Sequence, residues 1–263
     1  MADESIKKTI LVALGICLVC SLLIATAAVS LSPIQAENRR FDKIKNILIA
    51  GGLYSKDIDI AAVYTAKIEP IMIDLSSGAT IGEYRFNEAL NIADFDINEM
   101  ARHAEYGQTV PPDTDLAQID RMPKYMVVYY VKDNGALQRI ILPVYGRGAL
   151  SMLYGLLALD KDLKEVAGIT FYEQGETAGL GGEIVNPRWQ AIWQGKEVFG
   201  DSGEVKLSIV KGQVNADTPD ARHQIDGISG ATITTRSVDQ LIKFWLGENG
   251  YGPFLNKIAA RED

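Results

Sequence analysis

The first strong pattern in the chain is an uncharged apolar stretch near the N-terminus. Residues 9–31 contain no charged side chain and consist mainly of leucine, isoleucine, valine and alanine. Helical residues rise about 1.5 Å each, so a helix of this length crosses the roughly 30 Å hydrocarbon core of a bilayer. A cleaved signal peptide is the alternative, but its apolar region is usually only about 7 to 15 residues. We predict a short tail over residues 1–8 and a transmembrane helix over residues 9–31.

A second apolar pattern, near the C-terminus, has the spacing of a helix with one buried face. Five apolar residues recur at intervals of three and four positions, namely Val238, Leu241, Ile242, Trp245 and Leu246. This spacing predicts a helix from about Ile233 to Leu246, and Gly247 follows as a stop signal.

The region between these two patterns favours β-structure. Tyr125 to Lys132 and Ala136 to Tyr145 are rich in β-branched and aromatic residues, with the turn signal Asp133-Asn134-Gly135 between them. We predict further β-structure at 68–86 (a hairpin), 165–172 and 205–210, helices at 32–52, 57–67, 151–159, 187–194 and 250–260, and an irregular region at 87–123. The pattern indicates an α+β fold with a mostly antiparallel sheet. We divide the part after the span into a membrane-proximal region, 32–123, and a domain, 124–263.

Composition narrows the functional classes. The chain has 34 acidic and 26 basic residues, and it shows no basic patch interleaved with aromatic residues, which argues against nucleic-acid binding. Cys17 and Cys20 both lie in the apolar stretch, so the rest of the chain has no disulfide or cysteine-held metal site. A redox pair is one interpretation of this spacing, but packing as small apolar residues is favoured because no second pair exists. His103 and His223 are the two histidines; we expect one or both to be exposed, and we predict no histidine triad or metal site.

A chemically distinctive segment precedes the C-terminal helix. It begins at Asp226 and ends in Ser229-Gly230-Ala231-Thr232. A helix start has unpaired N–H groups and the positive end of the helix dipole, so it favours a phosphate. The three small residues before Thr232 leave room to reach its hydroxyl. The segment therefore predicts a phosphate, free or esterified to Thr232. The alternative is that Thr232 is an ordinary helix cap.

The same spacing occurs a second time, from Asp74 to Thr80. Here Ser76-Ser77-Gly78 lies between strand-like residues, which predicts a hairpin turn rather than a helix start. We therefore favour Thr232 over Thr80 as the acceptor, because a motif carries weight only in its structural context.

These residues resemble those of a known family. The segment Asp226-x-x-Ser-Gly-Ala-Thr232 resembles the flavinylation motif of covalent FMN-binding domains, and residues 175–181 resemble that family's Gly-Glu-Thr-Pro-Gly-Leu-Gly, with Ala178 in place of proline. Residues 145–150 and 152–159 resemble patterns of one branch, the C subunits of Na⁺-translocating NADH:quinone oxidoreductases. The G subunits of the related electron-transport complex are the nearest alternative. The resemblance covers nearly the whole chain.

The resemblance implies a function. A separate FAD-dependent flavin transferase would join FMN to Thr232 through a phosphoester, and the chain would carry electrons with other subunits of a complex that oxidises NADH, reduces ubiquinone and exports Na⁺. No Gly-x-Gly-x-x-Gly follows a strand, so NADH is not expected to bind this chain. A different class of function, a membrane-anchored non-redox binding module, would need Thr232 to be only a cap.

The resemblance also implies a location, a single pass through the bacterial inner membrane with the domain in the periplasm. The basic residues that follow the span, Arg39, Arg40, Lys43 and Lys45, favour the opposite orientation under the positive-inside rule. That rule weakens when a long domain follows the span. We therefore expect the orientation that the family implies.

Several residues are expected around the flavin. Leu180 would cover a ring face, Glu176 and Thr177 would hydrogen-bond ring edges, and Lys211 would place positive charge near the phosphate or the reduced ring. Asp226 would shape the turn or help the transferase, rather than transfer electrons. Glycines would let the backbone approach the ring, the candidates being Gly146, Gly148 and Gly179 with its neighbours in the 175–182 loop.

Overall fold

The computed structural model describes residues 6–82, 86–87, 90–93 and 95–262. It divides into two compact units, one ending at Ile44 and one running from Lys45 to Asp263. In the first unit every described residue belongs to helix α1, Ile6–Ala50. Most of the predicted tail, residues 1–5, lies outside the described residues.

Within α1, the segment Lys8–Gln35 is long and apolar enough to cross a membrane, with a mean hydropathy of 2.7 over its most apolar window. Two of its hydroxyl groups bond within the helix. The Thr26 hydroxyl donates to the carbonyl of Leu22 at 2.7 Å, and the Ser30 hydroxyl donates to that of Ala27 at 3.1 Å. Such internal bonds suit apolar surroundings, which offer no other partner. The helix continues beyond the predicted span at both ends.

The second unit is an α+β domain, as predicted. After the end of α1, its helices and strands in chain order are α2 Ile60–Lys67, β1 Ile68–Asp74, α3 Ile97–Arg102, β2 Gly107–Thr109, β3 Arg121–Pro123, β4 Tyr125–Asp133, β5 Ala136–Arg147, β6 Met152–Asp160, β7 Val166–Glu173, α4 Pro187–Ala191, β8 Ser208–Ile209, β9 Gln224–Ile225, α5 Thr232–Leu246 and α6 Gly252–Glu262. The main sheet is antiparallel, in the order β1-β4-β5-β6-β7.

The predicted helix over residues 151–159 is wrong, because this stretch is strand β6. Its seven interior residues, 153–159, are all buried, so both faces of the strand are covered. A strand covered on both faces loses the alternation that identifies a strand, and its continuous apolar run resembles a buried helix. The run here is Met-Leu-Tyr-Gly-Leu-Leu-Ala-Leu.

Other regions differ from the prediction in detail. The irregular region, 87–123, contains α3 and the β2–β3 pair. The hairpin over 68–86 is short: β1 turns back after Asp74, with a single bridge between Ile73 and Thr80, and residues 83–85 lie outside the described part. The strand over 205–210 shrinks to β8, which pairs in parallel with β9.

The proposed division at residue 123/124 stays a prediction. Strand β1 comes before that point, yet it pairs along its whole length with β4, from Ile68 opposite Val131 to Asp74 opposite Tyr125. The membrane-proximal region therefore contributes an edge strand to the main sheet.

Helix α5 confirms the C-terminal prediction and begins one residue earlier, at Thr232. Its buried stripe contains all five predicted apolar residues. At its far end Trp245 packs on β5, and the Tyr251 hydroxyl beyond it donates to the carbonyl of Pro143 at 2.6 Å. The sheet thereby fixes the helix whose first residue is Thr232.

Candidate functional site

The candidate site is built around the start of α5. The N-cap residue is Ala231, which has no side-chain oxygen to cap the helix, and Thr232 is the first helical residue. The cap interpretation of Thr232 is therefore wrong. Thr232 is exposed, and within the described part of the chain no group bonds to its hydroxyl. Gly230 turns the chain into the helix with φ 75°, a conformation that glycine adopts without cost.

An open cleft of ≈ 170 Å³ lies beside Thr232. Lys211 and Arg236 both line it, and Arg236 lies four residues after Thr232 on the same helix face. The cleft also contains Asp239, whose carboxylate accepts from the Lys243 ammonium and from the Ile209 N–H, each at 2.8 Å. The two cleft cations and the helix dipole suit an anion attached to Thr232.

Sequence reasoning included Lys211 but missed Arg236. The signal was present, because a residue four positions after Thr232 on a helix lies one turn away on the same face.

Asp226 holds the loop that carries Lys211. Its Oδ1 accepts from the Val214 N–H at 2.7 Å, and its backbone carbonyl accepts from the indole N–H of Trp189 at 2.9 Å. The Gly227 N–H adds a 2.8 Å bond to the carbonyl of Gly212. In this structure Asp226 shapes the loop and turn through hydrogen bonds within the protein.

Glu176 is buried, and protein groups surround its carboxylate. Oε1 accepts from the N–H groups of Leu150 at 2.9 Å and Ser151 at 3.2 Å. Oε2 accepts from the Ala149 N–H at 3.3 Å and from the Thr234 hydroxyl at 2.6 Å. Burial alone would raise the pKa of Glu176, but the bonds from Thr234 and the three backbone groups outweigh it and hold the pKa below its ordinary value.

The glycines of the site make room for protein atoms. A Cβ on Gly148 would lie 2.6 Å from Oε1 of Glu176, and one on Gly181 would collide with the Thr234 hydroxyl. A Cβ on Gly146 would lie 2.9 Å from the carbonyl of Ala117. At both Gly146 and Gly148 the position of a Cβ is therefore occupied by protein atoms, and their approach to a flavin ring stays a prediction.

The 175–182 loop contacts the segment of residues 226–232, here called the acceptor segment, through the side chain of Leu180. A Cβ on Gly230 would lie 3.0 Å from Cδ2 of Leu180. Leu180 is 44% exposed, and Ile233, next to Thr232, is 69% exposed. Thr177, Gly179 and Ser229 are also exposed. The loop therefore places an accessible apolar side chain beside the segment that ends at Thr232, as covering a flat ring would require.

The second copy of the motif has a different structure. Oδ1 of Asp74 accepts from the N–H groups of Ser76 at 2.9 Å and Ser77 at 3.1 Å, and from the Ser76 hydroxyl at 2.7 Å. Gly78 packs against α6, where a Cβ would collide with the carbonyl of Pro253. No helix begins at Thr80, so this turn lacks the unpaired N–H groups that favour a phosphate.

The histidine expectation is wrong, because neither histidine is fully exposed. His223 is buried, with Nδ1 2.8 Å from the carbonyl of Glu197. His103 is partly buried and stacks on Tyr106, and its Nδ1 accepts from the N–H groups of Glu105 and Tyr106. Across the described ranges, no group of three or more histidine, cysteine, aspartate or glutamate side chains could hold a metal ion.

Comparisons with known proteins point to one family. Residues 148–247 match the family model of the FMN-binding domain. The C subunit of the Na⁺-translocating NADH-quinone reductase of Pseudomonas aeruginosa is 42% identical over 263 residues, which covers 99% of this chain and 98% of that protein. The corresponding C subunit of Vibrio alginolyticus is 38% identical over 260 residues, which covers 99% of this chain and 98% of that protein.

Solved structures agree with the sequence relatives. The crystal structure of Shewanella oneidensis NqrC has a TM-score of 0.76 at 30% identity and covers 85% of this chain and 99% of that chain. The structure of the C subunit of the Na⁺-translocating NADH-quinone reductase from Parabacteroides distasonis has a TM-score of 0.65 at 27% identity and covers 86% of this chain and 96% of that chain.

Proposed function

The chain belongs to the family of C subunits of Na⁺-translocating NADH-quinone reductases, and on that premise we propose that it carries FMN through a phosphoester to Thr232. It acts as an electron-carrying subunit of that membrane complex. The complex oxidises NADH, reduces ubiquinone and moves Na⁺, while this chain contributes no NADH site of its own.

The position of Thr232 is the observation that carries this proposal. It combines an exposed hydroxyl, the first residue of a 15-residue helix and a cleft with two cations. The unpaired N–H groups of the first turn and the helix dipole stabilise a phosphate there without any change in the protein. These residues therefore fit the phosphate end of FMN.

The protein's part in the reaction is binding and positioning. Bound FMN supplies the capacity to accept and release electrons. Thr232 holds the cofactor permanently, and the Lys211 and Arg236 side chains offset the charge of its phosphate. Leu180 and Ile233 provide apolar surface for the ring beside the acceptor. The charge of Lys211 also favours the reduced, more negative ring if the ring comes near it.

Location and maturation complete the proposal. The apolar segment of α1 anchors the chain in the bacterial inner membrane with the domain on the periplasmic side. A separate FAD-dependent flavin transferase attaches the FMN, and the other subunits of the complex exchange electrons with it. The relatives found at full length are C subunits, which favours this complex over the one that contains the G subunit.

The test is intact mass and in-gel flavin fluorescence of the denatured chain after co-expression with a flavin transferase. Wild type is compared with Thr232→Ala, Thr80→Ala and Thr232→Ser, which keeps a hydroxyl. We expect one FMN on wild type and Thr80→Ala, none on Thr232→Ala, and partial loading of Thr232→Ser. If Thr80→Ala is the only variant that loses FMN, the acceptor is Thr80 and the assignment to Thr232 is wrong. A wild-type chain without flavin would instead favour an anchored binding module.

A further inference from the structure

Three separate segments meet at the carboxylate of Glu176. They are the 149–151 turn between β5 and β6, the 175–181 loop that contains Glu176, and the first turn of α5. We propose that Glu176 and Thr234 form a positioning pair that orients the Thr232 hydroxyl, and that Glu176 does so without contacting FMN. This inference rests on the proposed function of Thr232.

The carboxylate of Glu176 has no acceptor site left for a flavin. An ionised carboxylate offers about four lone-pair sites. Each oxygen already accepts two hydrogen bonds. Oε1 accepts from two backbone N–H groups, and Oε2 accepts from the Ala149 N–H and the Thr234 hydroxyl. A ring N–H group would have to displace one of these donors.

The pair acts on the side of the helix opposite the acceptor. Thr234 is 3% exposed and comes two residues after the exposed Thr232. Two helical residues differ by about 200° around the axis, so a bond that holds Thr234 inward directs Thr232 outward. Close approach at Gly148 and Gly181 is what admits this pair, because a Cβ at either position would collide with it.

The pair can be tested in the full chain without flavin. Hydrogen exchange would be measured by mass spectrometry for wild type, Glu176→Gln, Thr234→Val and Thr234→Ser. Thr177→Val is the matched control, because it removes an exposed threonine hydroxyl next to Glu176. Loss of a hydrogen bond to a charged group predicts about tenfold faster exchange at residues 228–236 in Glu176→Gln and Thr234→Val.

We expect the variants to differ in which residues exchange faster. Glu176→Gln also speeds exchange at residues 148–152, because its amide N–H₂ group opposes the backbone donors there. Thr234→Ser and Thr177→Val match wild type. The inference is overturned if neither Glu176→Gln nor Thr234→Val changes exchange at residues 228–236. If Glu176→Gln loses protection throughout the sheet, Thr234→Val decides.

A second arm measures the initial rate of FMN attachment by the flavin transferase and the visible circular dichroism of the attached flavin. We expect about tenfold slower attachment in Glu176→Gln and Thr234→Val, restored in Thr234→Ser. If Glu176→Gln exchanges normally at residues 228–236 but no longer acquires FMN, Glu176 contacts FMN directly and the inference is overturned. A wild-type chain that never acquires FMN would refute the proposed function, while the exchange arm still decides whether the pair fixes the helix start.

Discussion

The indole N–H of Trp245 donates a buried 2.7 Å hydrogen bond to the backbone carbonyl of Tyr145, and the two rings lie 5.0 Å apart. One hundred residues separate the partners in sequence. This bond attaches the far end of α5 to β5, while the Glu176–Thr234 bond holds its first turn. The helix that begins at Thr232 is therefore fixed at both ends by long-range contacts.

Trp245→Phe should lower the free energy of unfolding by about 1–3 kcal/mol, because it removes the donor for a buried carbonyl and leaves a small cavity. Urea unfolding followed by far-ultraviolet circular dichroism measures the change. Trp193→Phe is the matched control, since Trp193 is equally buried but its indole N–H has no partner within the described structure. An equal loss in the two variants would mean that ring volume, not the hydrogen bond, accounts for the effect.

Gly181→Ala should lower the free energy of unfolding more than Gly179→Ala does. A Cβ on Gly181 meets the Thr234 hydroxyl and Glu176, so the variant is overpacked and we expect a loss of about 1–3 kcal/mol. Gly179 has φ 73° but open space around it, so its alanine variant suffers only backbone strain of about 1–2 kcal/mol. Thermal unfolding compares stability, and hydrogen exchange at residues 228–236 separates the mechanisms. Faster exchange there is expected only for Gly181→Ala.

The contribution of Glu176 to stability should depend on pH. Its pKa in the folded protein lies below the ordinary value of 4.5, so the stabilisation is complete above that value and is lost as the pH falls through the folded pKa. The difference in unfolding free energy between wild type and Glu176→Gln should therefore be largest near neutral pH and shrink in acid. Urea titrations across this range provide the measurement. A difference that grows in acid would reverse the assigned sign.

Lys211→Gln and Arg236→Gln should each slow FMN attachment to Thr232 by about two- to fivefold, because each removes an exposed charge that attracts the phosphate. Added salt should reduce the effect by screening that attraction. Attachment is followed by flavin fluorescence in denaturing gels. Lys257→Gln serves as the control, because Lys257 is an exposed lysine on α6 that does not line the cleft. A similar defect in Lys257→Gln would point to general charge rather than to the cleft.

The periodicity of apolar residues in the sequence predicted helices that have one buried face and one exposed face. Helix α5 has a polar face and an apolar stripe, and its observed range differs from the predicted one by a single residue. Strand β6 was missed because it has no exposed face between Leu153 and Leu159. Periodicity shows which side of an element meets water, so it is uninformative where both sides are buried. Strand β5, which is buried on both faces over residues 140–146, was recognised instead by its β-branched and aromatic residues.

The candidate site was predictable only in part. The acceptor segment is local, and its small residues and following helix are visible in the sequence. The surroundings of Glu176 are not, because its partners lie 25 to 58 residues away and three of the four are backbone N–H groups, which carry no residue signature. The same limit hides the packing of Gly146 and Gly148 against distant residues from the sequence. Arg236 was accessible to sequence reasoning through its spacing from Thr232.

The duplicated Asp-x-x-Ser-Gly-Ala-Thr string has a consequence for the order of events during biogenesis. In an unfolded chain, Asp74–Thr80 and Asp226–Thr232 present the same motif to an enzyme that recognises the local sequence. They become different only when one forms a turn against α6 and the other starts a helix. A single modification per chain would then mean that folding precedes cofactor loading, and flavin on Thr80 would mark molecules that met the transferase too early.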